Sequence, residues 1–540
     1  MKDNILNKID LNDLYSILGH ERIELMKFLI NVDEKLFVEK DFIINSILSV
    51  YGNDLLLEKK IRILVFNTID SEILINLTKK FCKKEHPKKY DNAIELSLLP
   101  WKYGSEFVNE VSNILELSDD LLPQLNIQPD TTIELRPIIS LPPLHDYQNE
   151  VKDKIIFNLN ERTKRFLVQM PTGSGKTRTT LQSIIEYVNN TDQNQGKTIV
   201  WLAHTEELCE QAFDTFSKLW PVLSNNSIKV SRLWGNNEPS IENINGAFVI
   251  GTFQKFVSLY NGNSFLLDSI SKFLNILIID EAHKSIATSY SKIINFLTQS
   301  LNSRLIGITA TPGRNSKLNS ENQLLSAFFD RNLITPNFIS NPILELQEKG
   351  ILARLKRVVI NTKINISFNS NELLSINNDD IPSSTIKKLS LNNSRNKLIL
   401  ELIEDQVLQG NPCLIFSCNN EHSKLLNAVL NYKNIKSHYL DFKTNSFTRK
   451  KTIQDFKDSK FDVLINYGIL STGFDAPRIR TIIVTRPTSS IVLYSQIIGR
   501  GLRGPKMGGA YECNLFDIKD NYENFGGIED VYNYFDGYWL

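Results

Sequence analysis

RFLVQMPTGSGKTRTT, residues 165–180, decides how the rest of the chain is read. A short apolar run gives way to a proline and two glycines, and a helical pattern opens at the lysine. Strand, loop and helix in that order form the setting in which glycines let backbone N–H groups point at phosphates and a helix N-terminus favours negative charge. Thr172, Gly173, Ser174 and Gly175 would make the cradle, Lys176 would reach the β- and γ-phosphates, and Thr177 would hold Mg²⁺. Met170 stands where the usual pattern begins with glycine, while GSGKT is intact. The expected ligand is ATP with Mg²⁺.

Outward from this loop the same texture repeats. KTIVWLA, AFVIGT, NILIID and RLIGIT are short β-branched runs, each followed by polar residues and a helical pattern, and CLIFS, FDVLIN, RTIIVT and ECNLF continue it after about residue 355. Strands alternating with helices predict parallel, doubly wound α/β sheets. Residues 1–135 instead show apolar spacings of three and four, as in LNDLYSILGHERIELMKFLI, which predicts helices. The expected organisation is therefore a helical N-terminal accessory domain over 1–135, one α/β domain over 136–330, a linker over 331–354 and a second α/β domain over 355–540. The stretch 362–392, rich in Asn, Ser and Asp, reads as a loop or insertion.

Composition narrows the partners. Over 540 residues, 61 Lys+Arg balance 61 Asp+Glu, so nucleic acid would have to be held by a local groove and not by a basic body. The basic cluster KKFCKKEHPKKY (79–90) reads first as a solvated helix end and second as a nucleic-acid contact. Five scattered cysteines without a CxxC pair predict reduced thiols and a cytoplasmic protein. No apolar stretch approaches the roughly 20 residues of a membrane span, so no membrane partner is expected.

NILIIDEAHKS (275–285) ends an apolar strand in two adjacent carboxylates. Neighbouring side chains on a strand tip point different ways, so Asp280 can hold the Mg²⁺ shell while Glu281 accepts a proton from the attacking water. Cleavage of a γ-phosphate develops charge that one lysine and a metal only partly balance. Arg500 and Arg503, in QIIGRGLRG (496–504), are expected to open a helix about one turn apart and to enter an inter-domain cleft as arginine fingers.

This set of motifs, in order over roughly residues 140–520, resembles helicase superfamily 2 of the DEAD/DEAH type, whose fold is two tandem RecA-like parallel-sheet domains. LHDYQ (144–148) resembles the LRxYQ element, which implies that Gln148 reads adenine; His145 replaces the arginine of that element. LAHTEELCEQA (202–212) and VIGTFQKF (249–256) resemble the motifs that hold the nucleic-acid backbone, and the resemblance assigns this role to Thr205, Thr252, Gln254, Ser417 and Thr472, with Arg449 near the nucleic acid or orienting the second domain. GITATPGR (307–314) implies that Thr309 and Thr311 link hydrolysis to movement, with His283 and Gln496 in the same coupling role. ILSTGFDAP (469–477) implies that Gly473 and Asp475 face the nucleotide.

The forms AHTEEL, TAT and QIIGRGLR look most like bacterial RadD-type DNA helicases and the motor subunits of type I and III restriction enzymes. The resemblance therefore implies an ATP-dependent DNA helicase or translocase on duplex or forked DNA, in repair or phage defence. RadD-type proteins are expected to carry a cysteine zinc module after the motor, whereas here only Cys513 follows QIIGRGLR. Two alternatives stay open: an RNA helicase, and an ATP-gated sensor or scaffold that meets a protein partner through residues 1–135 and separates no strands.

Overall fold

The structure, a computed structural model, describes residues 5–30, 39–117, 121–122, 131–135, 141–190, 197–313, 319–339, 341–362, 383–442, 444, 446–470, 476–487 and 491–519. Packing divides the chain into two compact units. One comprises Met1–Gln128, Pro382–Gly468 and Ile483–Arg486; the other comprises Pro129–Ile381, Ile469–Ile482 and Pro487–Leu540. The α/β texture is present in both, with the helical region at the N-terminal end of the chain, as the sequence predicts.

The larger unit is built on an eight-stranded sheet: β1 (Thr132–Leu135), β2 (Arg165–Gln169), β3 (Thr198–Ala203), β4 (Ile228–Leu233), β5 (Phe248–Thr252), β6 (Leu274–Asp280), β7 (Arg304–Thr309) and β8 (Leu333–Ile334). Their spatial order is β1-β4-β5-β3-β6-β7-β2-β8, and every pairing is parallel except β1 with β4. β3, β5 and β6 are buried along their whole length, which is why they read as unbroken apolar runs: helices cover both faces of a parallel sheet. Phe166, Val168, Trp201, Ile278 and Ile306 fill the core on one face, and Leu167, Val200, Leu202, Leu277 and Leu305 fill the other. Burying one such side chain contributes roughly 1.5–3 kcal/mol.

Strand order gathers the functional loops. β6, β7 and β2 are adjacent, so the chain leaves the sheet at Asp280, Thr309 and Gln169 along one edge, where open α/β sheets bind ligands. β3 and β5 end on the same edge, with Ala203 opposite Thr252.

Six further strands complete the described chain: β9 (Arg354–Asn361), β10 (Cys413–Phe416), β11 (Ser437–Leu440), β12 (Val463–Asn466), β13 (Thr481–Val484) and β14 (Glu512–Lys519). In the smaller unit β10 and β11 flank β12 in parallel. In the larger unit β14 pairs with β9 in parallel, from Glu512 opposite Arg354 to Lys519 opposite Asn361. The stretch read as a loop is a helix over Ser383–Ser390, and its residues 363–382 lie outside the described residues.

Three of the N-terminal helices start on side-chain caps that their sequence supplies, Asp10, Asp70 and Ser105. They do not stand apart from the α/β segment of the same unit. The helix Asn420–Tyr432 is buried at every residue from His422 to Leu430, although a surface helix ordinarily buries one stripe. The helices His20–Ile30 and Glu39–Tyr51 cover it: Arg22 pairs with Glu421, Lys424 lies 5.1 Å from the Tyr51 ring centroid, Asn427 Nδ2 donates to the Ser49 carbonyl at 3.0 Å, and Phe42 meets Tyr432 edge-on.

His422 is buried within that helix and held neutral. Its Nε2 lies 2.9 Å from Asn396 Oδ1, and its Nδ1 accepts the Cys418 N–H at 3.2 Å. Burial, with Arg395 nearby, pushes its pKa down to about 3. The unfolded chain takes up this proton near pH 6.5, so stability present above that pH is lost as pH falls, by about 1.4 kcal/mol per pH unit until the folded pKa is reached. The expected result is a urea midpoint that drops more between pH 7 and pH 5 in wild type than in His422→Gln. Equal drops would place the acid sensitivity elsewhere.

Among the described residues no helix is long and apolar enough to cross a membrane. All five cysteines are free thiols, and Cys209, Cys413, Cys418 and Cys513 are buried.

Candidate functional site

The loop after β2 takes the form its glycines permit. Gly173 and Gly175 both sit at φ +87°, and Gly175 caps the helix Lys176–Asn189 in the left-handed region. A side chain at 175 would also be blocked, since a Cβ there would lie 2.4 Å from Gln148 Nε2. The Ser174 hydroxyl donates to the Pro171 carbonyl at 2.7 Å and closes the turn. The Ser174 carbonyl accepts two bonds, from Tyr147 Oη at 2.7 Å and Gln148 Nε2 at 2.9 Å. Gln148 Oε1 in turn accepts the His145 N–H at 2.9 Å, so both ends of this buried amide bond the protein and brace the loop. Tyr147 was missed by sequence reasoning, although it stands in LHDYQ itself.

Lys176 projects among Glu281, Asp280, Arg500 and Arg503. Desolvation pushes its pKa down, against the pull of the two carboxylates. Asp280 and Glu281 are both buried. Burial first, and then the charge of Glu281, raise Asp280 to about 7. For Glu281 the effect of burial is outweighed by His283, Lys176, Lys284 and Arg500, which hold it low. Asp280 Oδ1 accepts the Glu281 N–H at 2.9 Å. Glu281 itself adopts φ +52°, a left-handed conformation that costs a non-glycine residue of order 1–3 kcal/mol.

His283 Nδ1 stands 3.4 Å from Glu281 Oε2 and 3.2 Å from Thr309 Oγ1. Thr309 Oγ1 accepts the Thr311 N–H at 3.1 Å and donates to the Thr311 carbonyl at 3.0 Å. The DEAH turn and the TAT turn are thereby joined by one buried polar chain, possible because β6 and β7 are neighbours.

The arginine segment differs from its expected local form. The helix Ile491–Ile498 ends before it: Arg500 lies in a tight turn over Gly499–Gly501, and Arg503 bridges Leu352. Glycine, a weak helix former, stands on both sides of Arg500. Both arginines still reach the site. Arg503 Nη1 donates to the Gly173 carbonyl at 2.8 Å, and Arg500 Nε donates to the Gln496 carbonyl at 3.1 Å beside the carboxylates. Gln496 is buried on the same helix. Leu502 and Leu352 join the core of the larger unit, and Gly499 packs so tightly on Thr172 that a Cβ would come within 2.1 Å of its Cγ2.

The residues read as nucleic-acid contacts fall in two groups. Thr205 and Thr252 come directly after β3 and at the end of β5 and cap the next helices, their hydroxyls accepting the N–H of Leu208 and of Lys255. Gln254 is exposed in the first turn after Thr252. In the smaller unit Ser417, just past β10, is buried and hydrogen-bonds the Asn466 carbonyl and Ser423. There too, Arg449 donates to the carbonyls of Thr444 and Asp441. Thr472, Gly473 and Asp475 lie outside the described residues. In the basic cluster Lys79, Lys80 and Lys84 pair with Glu85, Glu106, Glu110 and Glu95, exposed pairs of small worth.

A glycine cradle at a helix N-terminus, a half-buried lysine, two carboxylates and docked arginines on a parallel α/β sheet define a phosphate-loop nucleotide-binding protein of the RecA-like kind. Residues 141–314 match the family described as type III restriction enzyme, res subunit, and residues 394–504 match the helicase conserved C-terminal domain. The chain thus carries a restriction-type ATPase segment followed by a helicase C-terminal segment, in the order that the resemblance to helicase superfamily 2 implies. It is 30% identical over 67% of its length to a Saccharomyces cerevisiae protein named as the ATP-dependent helicase IRC3, covering 50% of that protein. Its likeness to the Schizosaccharomyces pombe protein of the same name is 28% over 70% of the chain and 57% of the relative. The Escherichia coli type I restriction enzyme EcoAI endonuclease subunit is 22% identical over 70% of the chain and 46% of the relative. The chain thus spans about half the length of these relatives.

Proposed function

We propose that this chain is a DNA-dependent ATPase that couples ATP hydrolysis to movement on duplex or forked DNA. The observation that carries the reading is the Arg503 guanidinium on the Gly173 carbonyl, beside Lys176, Asp280 and Glu281. In this reading the backbone N–H groups of residues 172–177 cradle the phosphates, and Lys176 neutralises the β- and γ-oxygens. Thr177 and Asp280 would hold Mg²⁺ through the hard oxygen donors that suit it. The metal would supply charge neutralisation of the phosphates. Glu281 takes the proton of the attacking water, and His283 holds its orientation. Arg500 and Arg503 balance the charge that develops on the γ-phosphoryl group.

Gly473 and Asp475 complete the nucleotide face in the superfamily's pattern, and Thr205, Thr252, Gln254, Ser417, Arg449 and Thr472 hold a phosphate backbone. DNA is favoured over RNA by the restriction-enzyme family match and by the AHTEEL, TAT and QIIGRGLR forms, and repair or phage defence is the setting these relatives suggest. Free buried thiols accord with a reducing, cytoplasmic compartment.

The test is steady-state ATP hydrolysis without nucleic acid and with single-stranded DNA, duplex DNA, forked DNA and RNA, with strand displacement read in parallel. Strong stimulation by DNA alone is expected. Equal stimulation by RNA would move the assignment to an RNA helicase, and none by any of them would move it to a partner-gated sensor.

A further inference from the structure

Tyr290 has no part in the hydrolytic chemistry, yet it stands on one functional segment and touches two others. It sits in the helix Thr288–Leu297, which the chain enters directly from the DEAH turn. Its hydroxyl is 3.3 Å from His204 Nδ1, and the two rings meet edge to face with centroids 5.8 Å apart. The other side of its ring stacks on Phe253, with centroids 4.3 Å apart and planes 17° from parallel.

His204 immediately precedes Thr205, and Phe253 immediately succeeds Thr252. One aromatic side chain on the helix after Asp280 and Glu281 therefore braces both loops assigned to the nucleic-acid backbone. The strand order makes this possible, because β5, β3 and β6 lie side by side. His204 is half-buried and feels the charges of Lys284 and Glu281, which places it within electrostatic reach of the carboxylate turn.

We propose that Tyr290 is a positioning residue that couples nucleic-acid occupancy at the loops after β3 and β5 to the geometry of the Asp280–Glu281 turn. The inference rests on the reading of those loops as the track contact. A shift of either loop on binding DNA is transmitted through a stacked ring, which resists compression, to the helix anchored on the DEAH turn. The reverse also holds: closure of that turn on ATP presses both loops into register, and linkage requires the two effects to be equal in size.

The test compares wild type, Tyr290→Leu and Tyr290→Phe for ATP hydrolysis with and without duplex DNA, and for DNA affinity with and without a non-hydrolysable ATP analogue. The leucine variant is expected to keep its nucleic-acid-free rate while losing about tenfold in DNA stimulation, and to lose the analogue's effect on DNA affinity, with DNA's effect on the analogue's affinity falling by the same factor as that second loss. The phenylalanine variant keeps the stack on Phe253 and the edge contact to His204, and should retain at least half of the stimulation. Wild-type stimulation in Tyr290→Leu would overturn the proposal. So would a fall in the nucleic-acid-free rate in step with the stimulated one, which marks a purely structural role. Wild type unstimulated by any nucleic acid would overturn the functional reading itself, and that result is visible before a variant is compared.

Discussion

Glu281→Gln is expected to slow ATP hydrolysis by about 10²–10⁴-fold, the usual contribution of a positioned proton acceptor, while leaving nucleotide binding intact. The substitution preserves side-chain length and a hydrogen-bonding oxygen, so the buried pocket beside His283 stays filled. It removes the one property the position supplies, a carboxylate held in its charged form by His283, Lys176, Lys284 and Arg500 against the cost of burial. The left-handed backbone at 281 points the same way, because strain of that kind persists where it sets the direction of a functional group. Single-turnover hydrolysis alongside binding of a fluorescent ATP analogue separates the two effects. A variant that still turns over at a tenth of the wild-type rate would assign the proton to another group.

The second large effect is expected at a residue that carries no charge. Gly499→Val should lower hydrolysis as far as Arg503→Ala does, by about 10³–10⁵-fold if the arginines act as fingers. Any Cβ at 499 would sit 2.1 Å from Thr172 Cγ2 and 2.7 Å from Thr172 Cβ, so the segment cannot seat on the phosphate loop with a side chain there. Undocking it withdraws the Arg503 guanidinium from the Gly173 carbonyl and carries Arg500 away with it. Arg503→Lys sharpens the comparison: lysine keeps the charge but not the planar fork, and is expected to recover only a small part of the rate. Near-normal turnover in Gly499→Val with an unchanged melting temperature would show that the docked arrangement is not the one that reacts.

Much of this was legible in the residues. All nine runs read as strands are strands, and eight of them are buried along almost their whole length, because a strand covered on both faces must be apolar throughout and cannot hide in a single sequence; β14 alternates instead. The strands that went unread are β1, β4, β8, β9 and β11. β1, β8 and β11 are only two to four residues long. β9, RLKRVVIN, alternates exposed with half-buried positions and carries three basic residues, so nothing in its composition separates it from a polar connection. The phosphate loop and the carboxylate pair were equally plain, since their chemistry demands fixed residue types at fixed spacing next to a strand.

Other features belong to the tertiary structure alone. Sequence placed Arg500 and Arg503 on a helix, and the fold instead ends the helix at Ile498 and seats Gly499 on Thr172 and Gly501 on Cys513. The family resemblance turned Gln148 toward adenine, and the structure has its Nε2 donating to the Ser174 carbonyl of the loop and its Oε1 accepting the His145 N–H at the start of its own helix. Nothing in residues 1–128 announces that their helices cover Asn420–Tyr432, because that cover is made by residues hundreds of positions apart whose local patterns are ordinary. What the sequence determined by itself is the chemistry, a phosphate loop with a lysine, two carboxylates and arginines, since those groups are dictated by residue type and local geometry. What only the tertiary structure decided is which segments meet, from Tyr290 between His204 and Phe253 to Arg503 on Gly173, because strand order and close packing are set by contacts no local pattern encodes.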